Sequence, residues 1–451
     1  MLNHYDIAYY LGLGASAPYW LAKPAARRKV LTALAQRNGQ VARREWANPA
    51  IMIHAVSLGE MNATRALVAL LQRERPDLNF VISTTTDTGY ERGRELYGLN
   101  PAVTLIRFPL DFKAAVERTL DAIRVSLVVL MEGEIWPNFL KACERRNIRV
   151  LLINARMTTR AYNRYKLIRP VTAGMLRRLH GIAAQDHEYA KMFVDLGAPS
   201  GRVVVSGTMK FDTAITIGGV PGASTLAHEM GLDPMTQKIW VCGSTGEGEE
   251  EIALRIYRDL LMKHPKLRLV IVPRHPQRFD AVAQLIESHR FEVIRRSQHQ
   301  RANVNAPIPP VYLGDTMGEL RKFYYMAEIV FVGRTLIDLG PRQHGSDMIE
   351  PAALSKPTIV GPYTGNFAEA MRKFTEANAI SVVSDEEQLR STVDLLLSNL
   401  GEAREMGKRA LTVVMSNQGA TLRNAEVILG QLQITNPAPV KINRPATPHQ
   451  R

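Results

Sequence analysis

The feature that most constrains the fold of this 451-residue chain is an uninterrupted apolar run, LVVLM, at residues 127–131. Strands with one face in water alternate apolar and polar residues, whereas strands buried on both faces read as continuous apolar runs. Both faces are covered when helices pack on each side of a parallel sheet. The run therefore predicts a central strand of an α/β domain.

Similar apolar runs recur along the chain and alternate with stretches of helical spacing, in two series. Between the series, the segment ITIGGVPGAS is rich in glycine, proline and small residues, which is typical of a linker. We predict two tandem Rossmann-like domains, with the carboxyl ends of both sheets facing one cleft. The predicted segments are an N-terminal membrane-proximal segment (1–45), a first Rossmann-like domain (46–215), a linker (216–233), a second Rossmann-like domain (234–433) and a disordered tail (434–451).

The formal net charge of +14 narrows the range of partners. Such an excess attracts nucleic acid, an anionic membrane surface or a phosphorylated substrate, although it also serves solubility. No basic stretch is interleaved with aromatic residues in the manner of RNA-binding proteins, so we expect no nucleic-acid partner. Cys143 and Cys242 stand alone in apolar surroundings, which fits a reducing compartment and excludes a disulfide framework.

The N-terminal stretch 7–22 is largely apolar and carries tyrosine and tryptophan, and cations follow it at 23–29. It is interrupted by glycines and Pro18 and falls short of the roughly 20 residues of a spanning helix. No secretory cleavage pattern accompanies it. Two interpretations remain open: an interfacial anchor on an anionic membrane, or a helix packed on the first domain.

Three motifs of the first half place ionisable residues directly after predicted strands. In HAVSLGE, Glu60 begins a helix and serves either as a helix cap or as a base at the carboxyl edge of the sheet. In EGEIWPN, Glu132 and Glu134 follow the buried run, as salt-bridge partners or as residues lining the cleft. In SGTMKFD, Lys210 can stabilise an anionic leaving group or remain a solvated lysine.

Four motifs of the second half also follow predicted strands: GSTGEGEE, PRHPQRF, DTMGEL and HGSDMIEPAAL. Arg274 of PRHPQRF can bind a phosphate through its guanidinium fork. DTMGEL opens a helix, and HGSDMIEPAAL enters one at Ser346 and Asp347; the free N-terminal amides of helices bind anions. Neither half contains the glycine-rich dinucleotide or P-loop signatures, so nicotinamide chemistry and ATP hydrolysis are disfavoured. No Asp-x-Asp pattern predicts a metal site.

In these residues the sequence resembles the family of transferases for 3-deoxy-manno-octulosonic acid (Kdo). The motifs that carry the resemblance run in family order between about residues 50 and 370: HAVSLGE, TTTDTGYER, FPLD, EGEIWPN, NARM, AAQD, LGA, SGTMKFD, GEGEE, VPRHPQRF, GDTMGEL, FVG, IEPAA and GPYTGNF. The resemblance implies a GT-B fold and an inverting glycosyltransferase that needs no metal or cofactor. Its donor would be CMP-Kdo, and its acceptor a lipid A precursor (lipid IVA) of lipopolysaccharide core biosynthesis.

The resemblance also assigns roles to residues. It implies that Glu60 is the proton acceptor and that Glu132 and Lys210 support the transition state. It assigns the first domain to the acceptor and the second to CMP-Kdo, and it implies an enzyme at the cytoplasmic face of the inner membrane, held at the anionic surface by the N-terminal segment. The residues that it assigns to CMP binding are Pro273, Arg274, Met317, Gly318, Glu319, Asp347, Met348, Ile349 and Glu350.

The chain departs from the family pattern at several positions. Where the family has STH and FVGGS, this chain has Ser-Thr-Gly246 and Phe-Val-Gly-Arg334-Thr. The glycine-rich GGHN segment is a longer stretch over 340–347, with Asp347 in place of the usual asparagine. Two alternatives stay open: another GT-B enzyme, such as a UDP-sugar transferase or epimerase, and a non-catalytic lipid-binding relative.

Overall fold

The computed structural model describes residues 5–7, 9, 34–45, 49–214, 216, 218–299, 301–302, 308–340 and 345–433. These residues form two compact units. The first unit comprises the described residues up to Thr213 together with those from Gln418 onward, and the second comprises those between Ala214 and Asn417. Each unit has a seven-stranded parallel sheet, which confirms the prediction of two Rossmann-like folds.

The sheet of the first unit has the strand order β3-β2-β1-β4-β5-β6-β7, with all neighbours parallel. The predicted run at 127–131 is β4, and every residue of it is buried. Because β1 pairs with both β2 and β4, the strand order reverses at β1, which is where α/β sheets place their sites. The strands are β1 (Ala50–His54), β2 (Asn79–Thr84), β3 (Val103–Arg107), β4 (Leu127–Met131), β5 (Arg149–Ala155), β6 (Gly181–Ala184) and β7 (Val203–Val205).

Helices cover both faces of this sheet, as the doubly buried strands require. Many begin with a side-chain cap; Thr86, for example, accepts the Gly89 N–H at 3.1 Å. The helices that precede the second unit are α1 (Leu34–Arg37), α2 (Leu58–Glu74), α3 (Asp87–Tyr97), α4 (Lys113–Ile123), α5 (Pro137–Arg145), α6 (Thr159–Leu167), α7 (Arg169–Leu176) and α8 (His187–Asp195).

The second unit repeats this plan, with the strand order β10-β11-β9-β8-β12-β13-β14. Its reversal lies at β8, which pairs with β9 on one side and β12 on the other. Its strands are β8 (Lys238–Thr245), β9 (Leu267–Pro273), β10 (Val293–Arg295), β11 (Val311–Leu313), β12 (Ile329–Val332), β13 (Thr358–Val360) and β14 (Ser381–Val382). Its helices are α9 (Ala223–Met230), α10 (Glu249–Leu261), α11 (Phe279–Ser288), α12 (Leu320–Met326), α13 (Ile349–Ala353), α14 (Ala368–Glu376), α15 (Glu386–Ser398) and α16 (Leu400–Asn417).

The predicted linker at 216–233 differs from the structure, which has helix α9 in this segment. Leu226, Ala227 and Met230 recur at helical spacing and are buried, so the segment has a hydrophobic face to pack. Gly222 and Gly231 bound the helix in left-handed conformations. Of the small residues on which the linker prediction rested, Gly222, Ala223 and Ser224 therefore form the N-terminal end of a helix in the second unit.

The last helix, α17 (Ala420–Gln433), belongs to the first unit, although the sequence assigned residues up to 433 to the second. Its buried residues join the core that contains β1 and β4. Asp212 caps its N-terminus by accepting the backbone N–H of Gly419, at 2.6 Å, and that of Thr421. More than 200 residues separate the cap from the helix, so local sequence does not show this connection.

Near the N-terminus, the described residues Tyr5, Asp6 and Tyr9 contact the first unit. Asp6 is buried and accepts the Lys113 N–H at 2.9 Å, and Tyr9 donates to Asp111 at 3.0 Å. The second interpretation of the N-terminus, packing on the domain, therefore holds for these residues. Among the helices of the described ranges, none combines the length and the apolar character that crossing a membrane requires. The cations at 23–29 and the predicted tail at 434–451 lie outside the described residues.

Candidate active site

Glu60 lies in the first turn of α2, just after β1, and its carboxylate forms a capping box. The Ser57 side chain accepts the Glu60 N–H at 3.2 Å, and the Glu60 carboxylate accepts the N–H groups of Val56 at 3.0 Å and Ser57 at 3.2 Å. Only 8% of Glu60 is exposed. The carboxylate is thus held at the carboxyl edge of the sheet, at the strand where the order reverses.

The surroundings of this carboxyl shift its titration toward neutral pH. Burial and the negative charge of Glu132 raise the pKa of Glu60 to about 7, against the opposing effect of the hydrogen bonds from Val56 and Ser57. A base is most effective when its pKa lies near the working pH. The two uses predicted for Glu60, cap and base, are therefore compatible in one side chain.

Glu132 follows β4 and is paired with Arg156, which follows β5. Arg156 Nε lies 2.5 Å from Glu132 Oε2, and the Arg156 backbone N–H donates to the Glu132 carbonyl at 3.1 Å. Glu132 adopts a left-handed backbone conformation with φ of 60°. Non-glycine residues adopt such a conformation mainly where the surroundings fix it, which is common at functional sites. The pair places an anion and a cation beside Glu60.

Asn154 connects this pair to the loop that carries Lys210. The pairing of β5 with β6 shifts register between Leu152 and Ala155, and Asn154 within that stretch has φ of 47°. Its side-chain oxygen accepts the Met209 N–H at 3.1 Å. Lys210, the next residue, is half-buried. The irregular stretch of β5 around Asn154 therefore fixes the loop that carries Lys210 at the end of β5, beside Arg156.

Two other motif residues of the first unit have structural roles. Asp111 of FPLD caps α5 by accepting the N–H groups of Asn138 at 3.0 Å and Phe139 at 2.8 Å. Glu134, the second carboxylate of EGEIWPN, accepts a hydrogen bond from the Trp136 indole at 3.0 Å. Of the two carboxylates predicted after β4, Glu132 is thus the one that belongs to the cluster around Glu60.

In the second unit, two buried carboxylates organise the turn after β8. Glu249 accepts four backbone N–H groups, from Gly246 at 2.8 Å, Arg334 at 2.6 Å, and Thr335 and Leu336 at 2.9 Å each. It thereby ties the turn after β8 to the loop after β12. Its neighbour Glu250 forms a two-point ion pair with Arg278, at 2.6 and 3.0 Å.

Basic side chains surround this turn. Pro273 ends β9 and is buried, and Arg274 follows it, with an exposed side chain and a backbone N–H that donates to the Thr245 carbonyl at 3.1 Å. The pKa of His275 is lowered by partial burial and by the positive charges of Arg334, Arg274 and Arg278. Glu250 neutralises Arg278. Glu247 and Glu249 bring the carboxylates of this turn to three, against the three arginines.

The predicted CMP-binding residues Met317, Gly318 and Glu319 lie between β11 and α12. Met317 is exposed, and Gly318 has φ of 82° with open space on its Cα. The Glu319 carboxylate is committed within the protein, since it accepts hydrogen bonds from Arg296 at 2.9 Å, Lys322 at 2.8 Å and Thr316 at 2.7 Å. Despite partial burial, these contacts lower its pKa to about 2. The backbone and Met317 are therefore what this segment offers a ligand.

The segment 347–350 leads into helix α13, which begins at Ile349 rather than at the predicted Ser346 or Asp347. Asp347 accepts the Ile349 N–H at 2.8 Å and so fixes the turn that leads into the helix. Met348 and Ile349 are buried. Burial and the charge of Asp347 raise the pKa of Glu350 to about 7, while Arg321 opposes the shift. Glu350 is therefore a poor cation partner and a ready hydrogen-bond donor or acceptor.

The chain is similar to known proteins of one family. The family model for 3-deoxy-D-manno-octulosonic-acid transferase (kdotransferase) matches residues 32–213. A 3-deoxy-D-manno-octulosonic acid transferase of Haemophilus influenzae is 35% identical over 85% of this chain and 87% of that protein. The protein of the same name from Bordetella pertussis is 31% identical over 84% and 86%. The chain belongs to the Kdo transferase family.

The fold agrees with this membership. A glycosyltransferase structure from Rickettsia africae ESF-5 superposes with a TM-score of 0.55 at 13% identity, covering 87% of this chain and all of that one. At that identity the likeness concerns the fold alone, which is α/β with two Rossmann-like units of the GT-B type. The predicted enzyme class is confirmed: this Kdo transferase is a glycosyltransferase of lipopolysaccharide biosynthesis.

The structure adds residues that the sequence analysis of this Kdo transferase did not single out. Arg156 and Asn154 lie in the NARM motif, which supported the resemblance without receiving a role. The motif lies at the carboxyl end of β5, which marks its residues as candidates, but the contact between Arg156 and Glu132 depends on tertiary packing. Within the described residues, no group of three or more histidine, cysteine, aspartate and glutamate side chains is arranged to hold a metal ion.

Proposed function

We propose that this Kdo transferase moves Kdo from CMP-Kdo to a lipid A precursor of the lipid IVA type, with inversion, and that Glu60 is the base. The observation that carries the proposal is the Glu60 carboxyl at the reversal point of the first sheet, with a pKa of about 7 and the Glu132–Arg156 pair beside it. A sugar hydroxyl needs such a base as it attacks.

In the proposed step, an acceptor hydroxyl oxygen attacks the anomeric carbon of Kdo and gives its proton to Glu60. The bond between that carbon and the CMP phosphate oxygen breaks, and CMP leaves with the bonding electrons as a phosphate monoester. Positive charge develops on the sugar, and ionised Glu132 stabilises it. Arg156 keeps Glu132 in place through the 2.5 Å contact. Neither bond change requires a metal or a cofactor.

We assign the leaving nucleotide to cationic and helix-terminal groups. In the first unit, Lys210, fixed beside β5 through the Met209–Asn154 bond, supports the transition state. In the second unit, Arg274 after β9 supplies positive charge for the phosphate. The nucleoside would contact Pro273, the segment Met317–Glu319 and the segment Asp347–Glu350. Glu350, with its pKa raised to about 7, suits the ribose hydroxyls because a protonated carboxyl donates as well as accepts.

We assign a phosphate of the acceptor to Arg37 and Arg107. Arg107 is buried at the end of β3, where it pairs with Asp87 at 2.7 Å and lies over the Tyr90 ring at 4.3 Å. Arg37 has a buried Nε without a hydrogen-bond partner, and its pKa is lowered by burial and by the charge of Arg107. Strand β3 lies two strands from β1, a spacing of about 10 Å that one or two sugar rings can bridge.

A membrane location fits this acceptor. The net charge of +14 favours an anionic surface, and we place the enzyme at the cytoplasmic face of the inner membrane, in contact through its N-terminal segment. A lipid phosphate presented at that surface would then be within reach of the arginines of the first unit.

The test is a product assay with CMP-Kdo and a bisphosphorylated lipid A precursor. Mass spectrometry should show addition of Kdo to the lipid, and NMR of the product should show an anomeric configuration opposite to that of the donor. Retention of configuration would contradict the direct displacement. Turnover of UDP-sugars with none of CMP-Kdo would contradict the donor assignment.

A further inference from the structure

The loop after β12 contains an arginine in an unfavourable backbone conformation. Arg334 has φ of 61°, in the left-handed region that favours glycine. Its backbone is fixed on both sides, since its N–H donates to Glu249 at 2.6 Å and its carbonyl accepts the Gly345 N–H at 2.8 Å. An arginine that persists in such a conformation at the carboxyl edge of a sheet points to a functional use of its side chain.

The Arg334 side chain extends over the turn that follows the neighbouring strand, β8. A Cβ atom placed on Gly246 would lie 2.4 Å from Leu339 Cδ1 and 3.1 Å from Arg334 Cγ, so the absence of a side chain at 246 leaves room for both. On the other side of the same turn, the Arg274 N–H is bonded to Thr245. The two arginines therefore flank one turn. Gly246 and Arg334 are also two of the positions where this chain departs from the family pattern, which has histidine and glycine there.

The turn contains three carboxylates, of which Glu247 is exposed and the other two are engaged within the protein. Glu249 is engaged by four backbone N–H groups, and Glu250 is paired with Arg278. Arg334 Nε is buried without a partner, and within the described residues neither Arg334 nor Arg274 donates from its guanidinium to a protein acceptor. The pKa of Arg334 is lowered, by burial and then by the charge of Arg274. An anion bound between them would relieve both the repulsion and the missing hydrogen bond.

We propose that Arg334 and Arg274 together bind the phosphate of the nucleotide, with Arg334 as a donor-binding residue particular to this chain. The proposal rests on the proposed function, because it takes CMP as the nucleotide. It adds a second cation to the phosphate site.

The test is titration of CMP and of cytidine into wild-type protein, Arg334→Gly and Arg290→Gly, by calorimetry. Arg290 is a matched control, because it is an exposed arginine with φ of 62° in the turn between α11 and β10, at the amino ends of the strands. Glycine accepts the left-handed conformation at both positions, so both variants should fold. Arg334→Gly should raise the Kd for CMP about tenfold or more and leave the Kd for cytidine unchanged. Arg290→Gly should change neither.

Equal CMP affinity in wild type and Arg334→Gly would overturn the proposal, and so would an equal loss for CMP and cytidine, since a phosphate contact acts on CMP alone. Wild-type protein that does not bind CMP would contradict the proposed donor and this inference with it. The two failures are distinguishable, because only the first occurs in a protein that binds CMP.

Discussion

The Nε of Arg156 lies 2.5 Å from the carboxylate of Glu132, and the two residues follow adjacent strands of the first sheet. The pKa of Arg156 is raised because the charges of Glu132 and Glu60 outweigh its burial. The interaction is reciprocal, so the charge of Arg156 opposes protonation of Glu60. Arg156 is thus a positioning residue that opposes the mutual repulsion of Glu60 and Glu132.

Replacement of Arg156 by glutamine should lower kcat by about ten- to a hundredfold and move the acidic limb of the pH–rate profile to higher pH. Without the cation, the charge of Glu132 acts unopposed on Glu60 and favours the protonated base. Lysine at this position keeps the charge and should leave the limb near its original pH. Arg178→Gln removes a similar ion pair, Arg178 with Glu144 at 2.8 Å, and is the control. If the acidic limb of the pH–rate profile stays at the same pH in Arg156→Gln, Arg156 has only a structural role.

Glu60→Gln should lower kcat/KM by about two to four orders of magnitude, the usual contribution of a general base. In wild type, kcat/KM should fall as pH decreases through about 7, because the base is then protonated. Glutamine cannot accept the proton, so the variant should lose this limb of the profile. Near-normal turnover, or an unchanged limb in the variant, would remove Glu60 from the mechanism.

The first unit shows what the sequence could predict. The apolar run at 127–131 identified β4, because a strand buried on both faces needs no partner sequence to be recognised. The position of Glu60 after β1 followed from the same reasoning. Arg156 did not, since its importance arises from a register shift and from a contact across strands. Such geometry depends on tertiary packing, which local patterns do not encode.

The second unit shows the same limit. The segment 216–233 reads as a linker by composition, but Leu226 and Met230 have a core to pack against and form a helix. Helix α17 reads as the end of the second domain, but Asp212 and the first core hold it in the other unit. In both cases burial against distant residues outweighed the local pattern.

Asp212→Asn should destabilise the protein by about 1–2 kcal/mol, because Asp212 caps α17 through the N–H groups of Gly419 and Thr421 and asparagine removes the charge that strengthens both bonds. Chemical denaturation measures the loss. Asp385→Asn is the matched control, since Asp385 caps α15 through one N–H, and it should cost less. The fraction of Asp212→Asn protein that stays folded should keep the wild-type kcat. Full stability with lost turnover would instead place Asp212 in the chemistry.

Arg37→Ala should raise KM for the phosphorylated lipid acceptor about tenfold, with little change in kcat, if Arg37 binds an acceptor phosphate. An acceptor without the phosphate should not distinguish the variant from wild type. Arg43→Ala removes the same formal charge from an exposed site and controls for general attraction to the membrane. An equal rise in KM in both variants would assign the effect to surface charge rather than to a phosphate site.

The raised pKa of Glu60 also has a consequence for stability. Its pKa is about 7 in the folded protein and 4.5 in the unfolded chain, so the folded state binds more protons between these pH values. The free energy of unfolding contributed by this group is therefore fully present below pH about 4.5 and is lost as pH rises to about 7. Glutamine does not titrate, so Glu60→Gln should gain stability relative to wild type across this window, by on the order of 1–3 kcal/mol.

Asp111, with its pKa raised by burial to about 6, and Glu350 titrate in both proteins, so their contributions cancel in the difference. Urea denaturation at several pH values from 4.5 to 8 measures that difference. A pH-independent difference would mean that Glu60 is ionised throughout, and the carboxyl would then be a helix cap without the titration of a base.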